Sequence, residues 1–367
     1  MKPGKQVSKL VQRESAEVTY GDELERLAGM DLGPVPPGWR MSPRAVEKFV
    51  LGDEACAIER KFVADREQVV RIIISLCTSR GCLLVGEPGT AKSRLSELLA
   101  AAISGSSTLT LQGGAVNSVG QLLYSWNEAV LRGKGPCREA LVPSPLLRGM
   151  MSGQLVRFEE IARCPQPLQD ALLSVLSDRV VVVPELEGEA GVILARQGFN
   201  VVATSNSIDE GVHQMSAALK RRMGFEEIRP IQRLQDELDV VLREVRKSNA
   251  QAGIDVALEE PVIEVLVTMF HELRNGQTLD GRSTDRLAGA SLSTAEAVSV
   301  AHAASLNAWY YGGGRITLEQ VMHHLIGSAL KDQPEDRRRL LHYFETTVAG
   351  RRGEHWQQAW GLRSLIR

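Results

Sequence analysis

The sequence of 367 residues is 43 % hydrophobic, 24 % charged and 5 % aromatic, and its formal net charge is −2. This balance is typical of a globular protein with a mainly aliphatic core and argues against a chain that coats nucleic acid. No apolar run reaches the length that a membrane-spanning helix requires, so we expect no membrane span.

Cysteine usage and the amino-terminal residues predict a cytoplasmic location. The first 18 residues are polar and contain no apolar signal core. The five cysteines are scattered and have no metal-ligand spacing, which is typical of free thiols in a reducing compartment. They are Cys56, Cys77, Cys82, Cys137 and Cys164.

The first predicted elements follow a polar amino-terminal region. Residues 1–41 are interpreted as an arm and linker, because residues 31–39 are rich in proline and glycine. Ser42 followed by Pro43 predicts the start of a helix. Helical spacing of apolar residues predicts another helix over 66–77.

A parallel β-sheet is predicted for the middle of the chain. Helical patterns separate the apolar segments there, which implies crossover connections and a sheet covered on both faces. The predicted strands are 82–85, 108–111, 155–158, 200–204 and 225–228. A β-hairpin is predicted over 178–194, inserted between two of these strands.

The pattern becomes entirely helical after Pro230. We therefore predict an α/β domain over 42–230, an all-helical domain over 231–332 and a helical tail over 333–367. Ser293 and Glu296 predict a capping box at the start of one of these helices.

The segment GEPGTAKS follows the first predicted strand and opens a helix. It fits the phosphate-binding pattern G-x-x-x-x-G-K-[ST] except at Ala91. Gly86 and Gly89 allow backbone N–H groups to point into one concavity, and the helix adds the positive end of its dipole. Lys92 then supplies a charge for the β- and γ-phosphates and Ser93 a hydroxyl for Mg²⁺. The alternative is an ordinary strand–turn–helix corner, which the strand before and the helix after the loop disfavour.

Two later strands end in polar residues that suit the same edge of the sheet. Glu159 and Glu160 follow one of them, where an acid near the metal and an acid that activates water are needed. Asn206 follows the other and is predicted to bind the attacking water or the γ-phosphate. The alternatives are solvated acids and a simple turn residue.

Lys220, Arg221 and Arg222 end a short predicted helix. Cations are favoured at a helix carboxyl terminus whatever their function. The sharper hypothesis is that one of these arginines reaches the γ-phosphate of a neighbouring subunit.

These motifs, in this order and before a helical domain, resemble those of the AAA+ ATPases, and most closely the MoxR branch. The resemblance implies a P-loop AAA+ fold, a five-stranded parallel sheet flanked by helices with a helical lid domain, in a ring hexamer that binds ATP and Mg²⁺ between subunits. It implies that the catalytic residues are Glu160, Glu159, Asn206 and Arg222. It also implies that Ser93 and Glu159 bind the metal. The implied nucleotide contacts are Gly86, Glu87, Pro88, Gly89, Thr90, Ala91, Lys92, Ser93 and Arg94.

Three positions depart from the family pattern. Glu159 stands where the family usually has aspartate, and we assign the chain to a subgroup with a Glu-Glu pair. Ala162 stands where asparagine is usual. The helix that usually begins with the sensor 2 arginine has none, so Arg282, Arg286 or no residue takes that role.

The resemblance implies an ATPase that remodels or assembles a protein client, as a chaperone does, together with a von Willebrand factor A domain protein. The first alternative is a nucleotide-binding scaffold with little hydrolysis. The second is a DNA-directed motor, which the charge balance and the absence of a recognisable nucleic-acid module oppose.

Overall fold

The structure is a computed structural model that describes residues 11–206, 215–287, 292–330 and 334–366. These residues form two compact units. The first contains the residues up to Gly86 and residues 92–228, and the second contains residues 87–91 and the chain from Arg229 onwards.

The first unit has an α/β architecture. Its strands are β1 Gly81–Gly86, β2 Thr110–Gln112, β3 Tyr124–Trp126, β4 Leu141–Pro143, β5 Leu155–Glu159, β6 Val180–Val182, β7 Val192–Leu194, β8 Asn200–Asn206 and β9 Met223–Glu227. Its helices are α1 Ala16–Thr19, α2 Gly21–Met30, α3 Pro43–Leu51, α4 Arg66–Cys77, α5 Lys92–Ser104, α6 Val119–Leu122, α7 Glu128–Lys134, α8 Pro145–Ser152, α9 Gln166–Ser177 and α10 Ala217–Lys220.

A five-stranded parallel sheet in the order β2-β5-β8-β1-β9 is the centre of this unit. The predicted fold class is confirmed, with strand bounds shifted by one or two residues. Gly86 of β1 pairs with Asn206 of β8, and Gln112 of β2 pairs with Glu159 of β5. The parallel arrangement therefore brings the carboxyl ends of β1, β5 and β8 to one edge of the sheet.

Both faces of the sheet are buried. Successive residues of a strand point to opposite faces, and Leu83 and Leu84 accordingly belong to different apolar clusters. Helices α3, α4 and α5 cover the face with Leu84, and α8 and α9 cover the face with Leu83. This burial explains why the strands appear in the sequence as continuous apolar runs.

Helices α1 and α2 lie in the region that the sequence analysis interpreted as an arm. Ala16, Tyr20, Leu24 and Leu27 are buried in the same cluster as α5. Their spacing of four, four and three residues is that of one helical face, which the many polar residues between them obscured.

Two antiparallel hairpins accompany the sheet. Strands β6 and β7 form the hairpin predicted over 178–194, with Val181 opposite Ile193. Strands β3 and β4 form a second hairpin, which the sequence analysis did not predict.

The second unit is helical, as the sequence pattern after Pro230 predicted. Its helices are α11 Leu234–Gln251, α12 Glu260–Asn275, α13 Thr294–Tyr311, α14 Leu318–Ala329, α15 Pro334–Thr346 and α16 Glu354–Gly361. The predicted capping box of Ser293 and Glu296 is present at the start of α13.

A buried ionic cluster joins α11 and α12. Arg274 donates two hydrogen bonds to the fully buried carboxylate of Glu237, at 2.7 and 2.8 Å, and His271 Nδ1 lies 3.0 Å from the same carboxylate. Burial alone raises the pKa of Glu237, but the hydrogen bonds from His271 and Arg274 outweigh it and hold the pKa at about 2.

Replacing Arg274 should destabilise this unit strongly. Arg274→Met leaves the Glu237 carboxylate buried without its cation, and we expect a loss of about 3–5 kcal/mol in the free energy of unfolding at neutral pH. Denaturant unfolding measures this loss. Arg282→Met is the matched control, because Arg282 pairs with Asp280 at the surface and exposed pairs contribute little. Equal losses in the two variants would contradict the prediction.

The same variant should show a defined pH dependence. The pKa of Glu237 is lowered in the folded state, so its contribution to stability is complete above its usual pKa of 4.5 and is lost as the pH falls towards 2. The difference in unfolding free energy between the native protein and Arg274→Met should therefore shrink over that range.

Candidate active site

The loop between β1 and α5 contains two residues with positive φ. Gly89 has φ +78° and Ala91 has φ +61°. Glycine adopts this conformation freely, whereas alanine does so at a cost of about 1–2 kcal/mol. The difference from the phosphate-loop pattern at Ala91 therefore carries a backbone strain, because its Cβ crowds the following carbonyl oxygen.

Lys92 and Ser93 form the first turn of α5. The Lys92 ammonium is buried and Nζ donates to the carbonyl oxygen of Gly86 at 3.0 Å, so the side chain folds back along the loop. The Ser93 hydroxyl points to β5 and donates to Glu159 Oε2 at 2.6 Å. The two side chains that the sequence analysis assigned to phosphate and metal thus lie at the carboxyl edge of the sheet.

The Glu159 carboxylate accepts hydrogen bonds at both of its oxygens. Its Oε2 accepts hydrogen bonds from Ser93 at 2.6 Å and Thr204 at 2.8 Å. Its Oε1 accepts from Ser96 at 2.6 Å and Arg157 at 2.9 Å. Burial raises the pKa of Glu159, but these bonds and the Arg157 charge outweigh it and lower the pKa below its usual value. The carboxylate is therefore ionised at neutral pH.

Glu160 has the opposite environment. Its side chain is 40 % exposed and pairs with Arg163 at 3.2 Å. Its backbone has φ +53°, which is strained for a non-glycine residue, and its N–H donates to Thr204 Oγ1 at 3.0 Å. A Cβ on Gly113 would lie 2.1 Å from the Glu160 carbonyl oxygen, so this backbone requires glycine there. The two adjacent carboxylates therefore point in different directions: Glu159 points into the protein and Glu160 points to solvent.

Asn206 ends β8 in register with Gly86, which brings it to the predicted edge. Thr204, two residues earlier, contacts Glu159, a contact that the sequence analysis missed. Ser96 and Arg157 were missed as well. Simple periodicity would have indicated both, because Ser96 follows Ser93 by one helical turn and Arg157 precedes Glu159 by two strand positions.

Arg222 lies at the opposite edge of the same sheet. It directly precedes β9, and Met223 pairs with Gly81, about 16 Å along β1 from Gly86 at about 3.3 Å per residue. The Arg222 guanidinium donates to the Ala218 carbonyl oxygen at 3.0 Å and to the Ser177 hydroxyl. Arg222 therefore does not reach the phosphate loop of its own chain.

The other arginines considered in the sequence have different partners. Arg94 donates to Tyr20 Oη at 2.9 Å and to Glu97 at 3.0 Å. Arg282 pairs with Asp280 at 2.8 Å. Within the second unit, Arg286 Nη2 lies 3.1 Å from Glu87 Oε1.

The donor set suits a divalent cation. The Ser93 hydroxyl and the ionised Glu159 carboxylate are oxygen ligands of the kind that Mg²⁺ prefers, and they lie in contact.

In the part of the chain that the structure describes, no helix combines the length and apolar character needed to span a bilayer.

Comparisons with known proteins agree with this fold. Residues 81–223 match the model of the AAA domain of the dynein-related subfamily, and residues 235–367 match that of the YehL-like AAA+ ATPase C-terminal domain. YehL of Escherichia coli strain K12 is 48 % identical over 357 residues, which cover 97 % of this chain and 98 % of YehL. The gas vesicle ATPase GvpN1 of Halobacterium salinarum is 26 % identical over 40 % of this chain and 39 % of its own length.

Among solved structures, NtrX from Brucella abortus in complex with ADP aligns with a TM-score of 0.50 at 11 % identity, over 82 % of this chain and 64 % of NtrX. At this identity the likeness concerns the fold alone. The parallel sheet, the phosphate loop and the acidic strand end define the AAA+ class of P-loop proteins. Within that class, the chain belongs to the family of YehL-like AAA+ ATPases.

Proposed function

We propose that this chain is an ATP-hydrolysing, MoxR-like AAA+ ring ATPase, of a subgroup with a Glu-Glu pair, that remodels or assembles a protein client. The observation that carries the proposal is the contact of 2.6 Å between Ser93 and Glu159, beside an exposed Glu160. This contact joins the phosphate-loop helix to the acidic strand end where ATP chemistry requires it.

The residues divide the work of hydrolysis. Lys92 binds the β- and γ-phosphates, and Ser93 with Glu159 holds Mg²⁺, which neutralises phosphate charge when bound. The exposed carboxylate of Glu160 orients the attacking water and takes up its proton. Asn206, at the same edge, donates to that water or to the γ-phosphate.

A second copy of the chain completes the site. Arg222 lies at the sheet edge opposite its own phosphate loop. This position supports a role as an arginine finger, an arginine that contacts the γ-phosphate held by the loop of a neighbouring subunit. The homo-oligomeric ring, its hexameric state and the von Willebrand factor A domain partner are carried over from the family resemblance. The cytoplasmic location is carried over from the cysteine usage and the polar amino-terminal residues.

Two alternative functions can be distinguished from this proposal. A scaffold with little hydrolysis is disfavoured because Glu159, although longer than aspartate, still contacts Ser93. A DNA-directed motor is disfavoured by the formal net charge of −2.

Replacing Glu160 should separate binding from hydrolysis. Glu160→Gln should bind ATP with unchanged affinity and hydrolyse it about 10²–10⁴-fold more slowly, because the base is lost while the phosphate loop is intact. Steady-state phosphate release measures the rate, with the exposed Glu187→Gln as the matched control. Equal, near-zero rates in the native protein and in Glu160→Gln would favour the scaffold.

Mixing two inactive variants tests whether Arg222 acts on the phosphate loop of a neighbouring subunit. Lys92→Ala and Arg222→Ala should each lose hydrolysis, Arg222→Ala by about 10³-fold. A mixture should regain part of the activity, because an intact loop then meets an intact finger from another copy. Arg221→Ala, which changes the adjacent exposed arginine, should stay active. An active Arg222→Ala would rule out this finger.

Arg286 is the better candidate for the sensor 2 role, because it contacts Glu87 of the phosphate loop whereas Arg282 is paired with Asp280. Arg286→Ala should weaken ATP binding about tenfold, as expected for one charge-assisted hydrogen bond. Arg282→Ala should leave the affinity unchanged in the same fluorescent-nucleotide titration. The reverse ranking would transfer the role to Arg282.

A further inference from the structure

Arg157 is a basic residue in the middle of the largely apolar strand β5, which ends at Glu159, and its side chain is only 13 % exposed. Its guanidinium donates to Glu159 Oε1 at 2.9 Å and to Ser96 Oγ at 3.0 Å. It also donates to the carbonyl oxygens of Ser93 at 3.1 Å and Ser107 at 3.2 Å. Arg157 therefore fastens the acid to the first turns of the phosphate-loop helix.

The two oxygens of Glu159 are held by different groups. Oε1 is bound by Arg157 and Ser96, and Oε2 is bound by Ser93 and Thr204. Arg157 and Ser96 thus hold one oxygen, and the other oxygen is turned to the Ser93 hydroxyl.

This division depends on the length of the side chain. An aspartate at position 159 would end about 1.5 Å short, the length of one carbon–carbon bond. Its carboxylate could not keep the Arg157 and Ser96 bonds and contact Ser93 as well. Arg157 also supplies the countercharge that a buried carboxylate needs before any metal is bound.

We propose that Arg157 is a positioning residue that makes glutamate, rather than the aspartate usual in AAA+ proteins, the working acid at position 159. Arg157 fixes the extra rotatable bond of Glu159, so that one oxygen stays available to the metal that Ser93 would hold. This inference rests on the proposed ATP and Mg²⁺ site, and it predicts a coupling between Arg157 and the metal dependence of nucleotide binding.

The test measures ATP affinity twice, with Mg²⁺ and with EDTA, and takes the ratio of the two affinities. Arg157→Gln should reduce this ratio about tenfold, the effect of one lost charge-assisted hydrogen bond, with little change in the EDTA value. Glu159→Asp should reduce the ratio to a similar extent, although it installs the usual residue. Arg157→Lys should recover part of it, because the charge returns without the planar fork.

The double variant decides whether the two residues act together. Arg157→Gln with Glu159→Asp should lower the ratio no further than the worse single variant, whereas independent effects would multiply to about 100-fold. Arg179→Gln is the structural control. Arg179 is a largely buried arginine that donates to the carbonyl oxygens of Ser79 and Phe199, so its loss should affect stability and not the ratio.

The outcomes separate this inference from the proposed function. A native protein that binds no ATP with Mg²⁺ present would remove the proposed function itself. Binding by the native protein with an unchanged ratio in Arg157→Gln, or a ratio for Glu159→Asp that equals the native one, would overturn the positioning role alone.

Discussion

The hydrogen-bonded carboxylate of Glu159 holds the candidate site together. Ser93 and Ser96 come from α5, Thr204 from β8 and Arg157 from β5, so one side chain connects three elements that are far apart in the sequence. A buried charge is tolerated only when its lone pairs are satisfied, and here the donors that satisfy them are also the groups that define the site. Stability and the proposed chemistry therefore depend on the same bonds.

The backbone conformation of Glu160 gives this acid a different orientation from that of the neighbouring Glu159. Glu160 leaves the strand in a left-handed conformation, which turns its side chain to solvent while Glu159 remains inside. Gly113 makes room for that turn, and Thr204 binds both the Glu160 N–H and the Glu159 carboxylate. Strain of this kind persists only where the surroundings fix it.

Local patterns in the sequence predicted the sheet, the phosphate loop and the acidic strand end, because each depends on consecutive residues. Of the bonding partners of Glu159, only Ser93 was predicted to share its site. Thr204 belongs to a different strand, so its contact with Glu159 is set by strand order and register. Ser96 and Arg157 follow a periodicity that the dominant apolar pattern obscured. The helices α1 and α2 were missed for a different reason, since four apolar positions among many polar ones carry little weight until a surface for them to cover is known.

Those amino-terminal helices alter what counts as the nucleotide-binding unit. The Tyr20 ring packs edge-on against Phe49, and its hydroxyl accepts a hydrogen bond from Arg94, the residue directly after Ser93. Lys61 is enclosed beside both rings with Glu23 at 2.5 Å, and burial lowers its pKa although Glu23 acts in the opposite direction. A shortened protein that begins at Ser42 would open this aromatic enclosure and leave a cation without its acid. A shortened protein intended to isolate this unit should accordingly retain the chain from before Ala16.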